Sequence, residues 1–185
     1  MQEFQTRRTE HDIDPIYLQR WSPRSYQEKE VPEAVLMRLF EAARWAPSAN
    51  NRQPWRFIIA RKAEDRERFY TFINERNRQW CEKAPVLAML ISDTEFPVSA
   101  FDSGTAWGFL ALQAAREGLI THAIGGFDKQ KAAEILGIPE SFEPRIIIAI
   151  GYQGEKEALP EDFQVREQPS DRRPLKESIM EGRFQ

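Results

Sequence analysis

Arg20-Trp21-Ser22-Pro23-Arg24 sets two guanidiniums and a hydroxyl at alternate positions. Pro23 disfavours helix at Ser22, so the segment is expected to be extended, with residues two apart sharing a face at about 6.6–7 Å spacing. Arg20, Ser22 and Arg24 can then converge on one anion, the guanidinium fork being suited to phosphate. Read alone, the pentapeptide equally suits a solvated polar loop. A second group lies between Ala46 and Trp55 (APSANNRQPW). Ser48, Asn50, Asn51 and Gln53 donate and accept hydrogen bonds, and the amides suit a ring bearing carbonyls and ring nitrogens. Pro-Ser and Asn-Asn pairs also make plain turns, and Gln53 can simply tie down loop backbone; Trp55 reads as core or interface packing.

The third group is Thr121 to Asp128 (THAIGGFD). Gly125 and Gly126 let backbone approach a ligand closely, or form a tight turn before Asp128, a good helix N-cap. His122 reads as structural, and the other histidine, His11, lies in a polar arm. With Cys81 the single cysteine, an activated nucleophile and its base are hard to assemble. No cluster with metal-ligand spacing appears.

These residues must be placed by the elements between them. Pro32-Glu33 opens a helix carrying Val35, Leu36, Leu39, Phe40 and Ala43 at helical spacing, ended by Pro47. Trp55–Ala60 reads as a strand. Ala63 to about Lys83 reads as one charged helix with Phe69, Phe72, Ile73 and Trp80 on a side. Val86–Ile91 is a continuous apolar run that suits a buried strand. Ser99 to Glu117 reads as a small-residue helix stopped by Gly118, followed by a short extended piece at Leu119–Ile124. Asp128 to Gly137 is a further helix, and Arg145–Tyr152 the clearest strand. Gly154 to Pro169 is polar and lacks a core of its own; Pro174 to Met180 suggests a last short helix. Helices alternating with strands predict a three-layer α/β or α+β arrangement. No G-x-G-x-x-G follows the first strand, which argues against a dinucleotide-binding Rossmann unit.

A chain of 185 residues is expected to form one domain. Apolar residues at 41% with twelve Phe and five Trp supply a core, while a formal charge of −3 with interleaved signs speaks against a nucleic-acid reader. A lone cysteine excludes an intrachain disulfide and suits a reducing compartment. The first fourteen residues lack the apolar stretch of a signal peptide, and no apolar run is long enough to span a bilayer. The expected location is the cytoplasm.

Taken in order, the R-x-S-x-R strip, the APSxxNxQPW loop, the small-residue helix from Asp102-Ser103-Gly104, the GGFD turn, the IAIGY strand and a late Arg-x-Pro resemble the nitroreductase family of FMN-dependent NAD(P)H oxidoreductases. The resemblance runs from Arg20 to Ile179. It implies a three-layer α+β fold with a central mixed or antiparallel sheet flanked by helices, and a C-terminal tail extending onto a partner subunit. One FMN-binding domain would then span residues 1–185, with an N-terminal arm at 1–14 and a C-terminal extension at 154–185. It also implies Arg20, Ser22 and Arg172 as ligands of the FMN phosphate, with Trp21 beside them. Arg24 would lie nearer the ribityl chain or the pyrimidine edge, where a cation stabilises the anionic reduced ring. Asn51 would be the amide ligand of the isoalloxazine, with Pro47, Ser48, Ala49 and Gln53 around the ring. Ile124, Gly125 and Gly126 would present backbone to flavin N5 and O4. In the family this loop reaches the flavin of the partner subunit, which implies an obligate homodimer. The implied activity is ping-pong transfer of hydride from NADH or NADPH to nitroaromatics, quinones or similar flat acceptors, the flavin rather than a side chain carrying the chemistry.

Two departures stand out. The connection Ser92–Val98 leaves little room for a lid, so an open pocket is expected. Trp21 and Ser170 also stand where many or some relatives carry a basic residue. Alternatives are a reductive dehalogenase of the same superfamily, a flavin-binding sensor or interaction protein without turnover, and an FMN-free structural homodimer.

Overall fold

The computed structural model describes residues 7–184. A one-turn helix α1 (Ile16–Gln19) precedes α2 (Glu33–Arg44). Strand β1 (Trp55–Ala60), helices α3 (Ala63–Tyr70) and α4 (Glu75–Cys81), and β2 (Val86–Asp93) follow. The long α5 (Ser99–Arg116), β3 (Ile120–Ile124), α6 (Lys129–Leu136), β4 (Phe142–Gly151) and a short α7 (Glu161–Gln164) complete the described chain. The four strands form one wholly antiparallel sheet in the order β1-β2-β4-β3. This is an α+β architecture.

The apolar run of β2 is buried at every position but its last because both faces of the sheet are covered. Leu87 and Met89, with Ile147 and Ala149 of β4, face a core containing Phe69, Phe72, Trp80, Leu159 and Phe163. Val86, Ala88 and Leu90, with Ile148 and Ile150, face Leu36, Leu39 and Ala43 of α2 and Ala106, Leu110 and Ala114 of α5. The period-two alternation of a strand thus splits one apolar run between two cores. Gly118 and Gly137 end α5 and α6 at φ 73° and 64°, as expected of left-handed caps.

The single helix expected over 63–83 is two helices. Asn74 caps α4, its side chain accepting from the Asn77 N–H at 2.9 Å. Ile73 forms an isolated bridge with Phe127, and Asp128 N–H donates to Phe72 C=O at 2.8 Å. The apolar spacing continues across the break, but Asn favours a cap over a helix interior. The polar stretch 154–169 is bound to the body by Leu159 and Phe163, 6% and 5% exposed within the first core. The last expected helix is a 3-10 turn, Leu175–Glu177. Among the described residues no helix is long and apolar enough to cross a membrane.

Candidate functional site

Arg20 follows α1 directly and turns the chain extended at φ −69°, ψ 117°. Its Nη1 donates to Ser22 Oγ at 3.2 Å, so these two residues of the strip do share a side. Arg7 of the N-terminal arm donates from Nη1 to the C=O of Leu18 (2.7 Å) and of Arg20 (2.8 Å), closing the end of α1. Arg172 is exposed and held by its own neighbours, Nη1 donating to Ser170 Oγ at 3.2 Å and Asp171 C=O at 3.0 Å. The three guanidiniums act on one another. Burial, then Arg172, lowers the pKa of Arg20. Burial, then Arg172 and Arg20, lowers that of Arg7, with Asp171 opposing. Arg7 Nε is buried without a hydrogen-bond partner. Gathering like charges at a half-buried place is costly in the absence of a counter-anion, and this donor set fits a phosphate group.

Arg24 does not join them. Its Nη1 lies 3.7 Å from Glu167 Oε2 and its guanidinium carbon 6.0 Å from the Phe163 ring centroid. The N–H groups of Arg24 and Ser25 both donate to Glu167 Oε1, at 2.6 and 3.0 Å. Consecutive amides of a regular extended strand point to opposite sides, so the alternation breaks locally at Arg24 and the alternate-residue register ends at Ser22, although the chain runs on to pair Tyr26 with Gln153 antiparallel. Convergence of all three side chains on one anion is therefore corrected to Arg20 and Ser22, with Arg172 and Arg7 from elsewhere.

The glycine turn sits beside the strip through His122 of β3. The His122 ring lies 4.5 Å from that of Trp80, and Nδ1 is 3.0 Å from Pro23 C=O, an acceptor to which it donates as the neutral ring. Burial, the largest effect, pushes its pKa down to about 4. His122 is thus a neutral brace rather than a proton carrier. Ile124 is buried in the core at 2% exposure, leaving only its backbone for a ligand. Gly126 C=O accepts from Asn74 N–H at 3.1 Å and Asn77 Nδ2 at 3.3 Å. A Cβ on Gly126 would collide with both amide side chains, whereas one on Gly125 meets open space. Packing leaves little room for a side chain at the second glycine, and because Gly125 C=O accepts from Phe127 N–H at 3.2 Å, what the turn has left for a ligand is backbone N–H.

The loop after α2 is tightly wired. Asn50, Asn51 and Gln53, at φ 53°, 54° and 52°, are the only non-glycine residues with positive φ among the described residues. Ser48 Oγ accepts from Gln53 N–H at 3.0 Å, and Gln53 Nε2 donates to Asn51 C=O and Oδ1 at 3.0 and 3.1 Å. Ala49 N–H donates to Asp102 Oδ2 at 3.0 Å. Ser48 and Gln53 therefore brace the loop, while Pro47 and Asn51 face outward. Trp55 is core at 6% exposure. Such a concentration of left-handed residues, held by surrounding bonds, makes this loop a candidate site.

Loop and strip lie apart in one protomer. The loop is fixed at Asp102, while Arg20 and Trp21 share a pocket of about 220 Å³ with Ala111, Ala115 and Thr121. Along α5 that separation is about 15 Å at 1.5 Å per residue. A groove of about 970 Å³ elsewhere, lined by Val31, Met37, Arg61 and Arg66, contains none of these residues. Arg7, beside Arg8, and Glu167, beside Arg166, carry no sequence signal, being charges among others in polar arms. Asp102 is detectable only as an acid inside a run of small residues.

A model described as the nitroreductase family matches residues 17–80 and 72–152. A Thermus thermophilus protein named NADH dehydrogenase is 28% identical over 187 residues, covering 78% of this chain and 88% of that protein. A shorter stretch of 72 residues, 39% of this chain, is 42% identical to a Streptomyces coelicolor protein and spans 36% of it. A solved structure described as an oxidoreductase containing FMN superposes at a TM-score of 0.92 and 39% identity, covering 97% of this chain and 96% of that one.

Proposed function

The chain belongs to the nitroreductase family, and from that premise we propose that it is an FMN-dependent NAD(P)H oxidoreductase working as a homodimer in the cytoplasm. It is read as one FMN-binding domain, with residues 1–14 as an arm and 154–185 as an extension whose tail crosses to the partner. Bound FMN would supply the redox chemistry, a ping-pong transfer of hydride through N5 from NADH or NADPH to nitroaromatics, quinones or similar flat acceptors. Arg20, Ser22 and Arg172 hold the phosphate, with Trp21 alongside and Arg7 fixing the backbone of Arg20. Gly125, beside Ile124 and Gly126, offers backbone N–H to the ring. Pro47, Ser48, Ala49, Asn51 and Gln53 approach it from the partner loop, and Arg24 lies at its anionic edge.

The observation that carries this reading is the donor set itself: Arg20 Nη1 shares a side with Ser22 Oγ at 3.2 Å, Arg7 is bonded to the Arg20 C=O at 2.8 Å, and Arg172 is near enough to lower the pKa of both. Dimerisation is supported by the outward face of α5, where Phe101 (76% exposed) and Phe109 (40%) flank Gly104, Thr105 and Gly108 without a charge. A solvated helix face is ordinarily polar. The loop and the strip are anchored 9 to 13 residues apart on α5, at Asp102 and at Ala111 and Ala115, which supports a site shared by two chains.

Anaerobic titration of the purified protein with NADH and with NADPH, followed in the flavin absorption bands, tests the proposal. Stoichiometric bleaching is expected and gives the preferred donor. Flavin that stays oxidised overturns the oxidoreductase reading in favour of a sensor, and a protein that neither carries nor takes up FMN overturns both.

A further inference from the structure

Glu167, in the C-terminal extension, is buried at 7% exposure, with its side chain at 2%. Leu159 and Phe163 already anchor this segment apolarly, so attachment alone does not call for a buried acid. Burying a carboxylate costs several kcal/mol unless partners compensate, on the usual order for such groups. The compensation found is specific to one place. Oε1 accepts the N–H groups of Arg24 and Ser25, and Oε2, buried without a hydrogen bond, faces Arg24 Nη1 at 3.7 Å. Around them stand Tyr26, whose hydroxyl donates to Ala149 C=O at 3.2 Å, and the Phe163 ring, which Arg76 covers from 4.7 Å.

The two oxygens do different things. Oε1 fixes the backbone at the point where the alternation of the strip breaks. Oε2 is close enough to attract the guanidinium but beyond the 2.7–3.2 Å of an N–H···O bond. Arg24 is thereby held in direction while its N–H groups stay free to bond elsewhere, on a side chain 25% exposed.

We propose that Glu167 is a positioning residue of the flavin site, setting where the Arg24 guanidinium lies and how much of its charge acts on the cofactor. This rests on the FMN reading above. A carboxylate beside the cation offsets part of the positive potential that favours the anionic reduced ring.

Glu167→Gln separates the two roles, since its amide oxygen still accepts both backbone N–H groups while the charge is gone. The FMN midpoint potential of the holoprotein is expected to rise. The affinity ratio of reduced to oxidised FMN should grow about tenfold, a shift of about 30 mV for a two-electron couple. Adding Arg24→Gln should cancel the rise. Glu167→Ala removes the backbone clamp as well and should weaken both redox forms. An unchanged potential in folded, FMN-loaded Glu167→Gln overturns the proposal, as does a rise that persists in the double variant. Should Glu167→Gln not fold, Arg24→Gln alone is decisive: a lowered potential is expected, and no change overturns it. Wild-type protein that takes up no FMN refutes the cofactor reading separately, before any variant is compared.

Discussion

The backbone N–H of Ala49 donates to the Asp102 carboxylate at 3.0 Å, so a buried acid in the first turn of α5 holds the loop containing Asn50, Asn51 and Gln53 in left-handed conformations. Each such residue stores about 1–3 kcal/mol that the surroundings must offset. Asp102→Ala should destabilise the protein by about 1.5–3 kcal/mol, the usual range for a lost hydrogen bond to a charged group. Asp102→Asn keeps an acceptor and should cost less. Urea unfolding measures both, and FMN affinity should fall alongside in the alanine variant. A stability loss with unchanged FMN affinity would assign Asp102 to the scaffold only.

Phosphate recognition makes a sharper demand. Arg20→Ala and Arg172→Ala should each weaken FMN by about 10- to 100-fold, matching the loss of a charge-assisted hydrogen bond. Riboflavin has the same ring system without the phosphate, so its affinity should hardly change. Fluorescence titration with the two flavins compares them directly. Equal losses for both would move these arginines away from the phosphate.

The adjacent glycines should respond oppositely. Gly126→Ala drives a methyl into the Asn74 and Asn77 amides and should cost about 1–3 kcal/mol, as overpacking does. Gly125→Ala meets open space and should leave the unfolding midpoint in place while impairing flavin binding or reduction. Thermal melts and flavin titrations on the pair decide it; a flavin site indifferent to Gly125→Ala would remove that backbone from the cofactor.

Of the fold, the strands and most helices were legible because periodicity and punctuation agreed. Gly118 and Gly137 stood where caps were needed, and the apolar run at Val86 demanded burial on both faces. The α3–α4 break was hidden because Phe69, Phe72, Ile73 and Trp80 keep helical spacing through it, and the bridge from Ile73 to Phe127 is a non-local pairing. Of the site, the order of motifs was legible but its convergence was not. Arg7, Glu167 and Asp102 act over sequence separations of 13, 143 and 53 residues, which local pattern does not encode. The alternation of the strip held to Ser22 and was lost at Arg24, because an acid far along the chain takes the amides of both Arg24 and Ser25.

Acid should expose the His122 brace. Its ring is neutral in the fold, with its pKa pushed from 6.5 down to about 4 by burial. Between those values the unfolded chain binds a proton that the folded chain refuses, so the full contribution is present above pH 6.5 and drains away as pH falls toward 4. The ceiling is about 3 kcal/mol at 1.36 kcal/mol per pKa unit. Urea midpoints from pH 7 to 4 should fall more steeply for wild type than for His122→Asn. Parallel curves would mean that the ring does not titrate with unfolding.

The outward face of α5 gives the most consequential test. Phe101 and Phe109 are two turns apart on the same side of that helix, with small residues between them, so the face can admit another helix closely. If it joins two copies, Phe101→Glu places a charge where it must be desolvated, at a cost of several kcal/mol per interface. Because the symmetric pair carries the substitution twice, light scattering should show a monomer at concentrations where wild type is a dimer. A site completed by the loop of the opposite chain must then lose FMN in step with the dimer. Proportional loss of the two signals ties the cofactor to the interface. A Phe101→Glu monomer that keeps its flavin would instead mean that one chain suffices, and that Asn51 serves its own protomer across the length of α5.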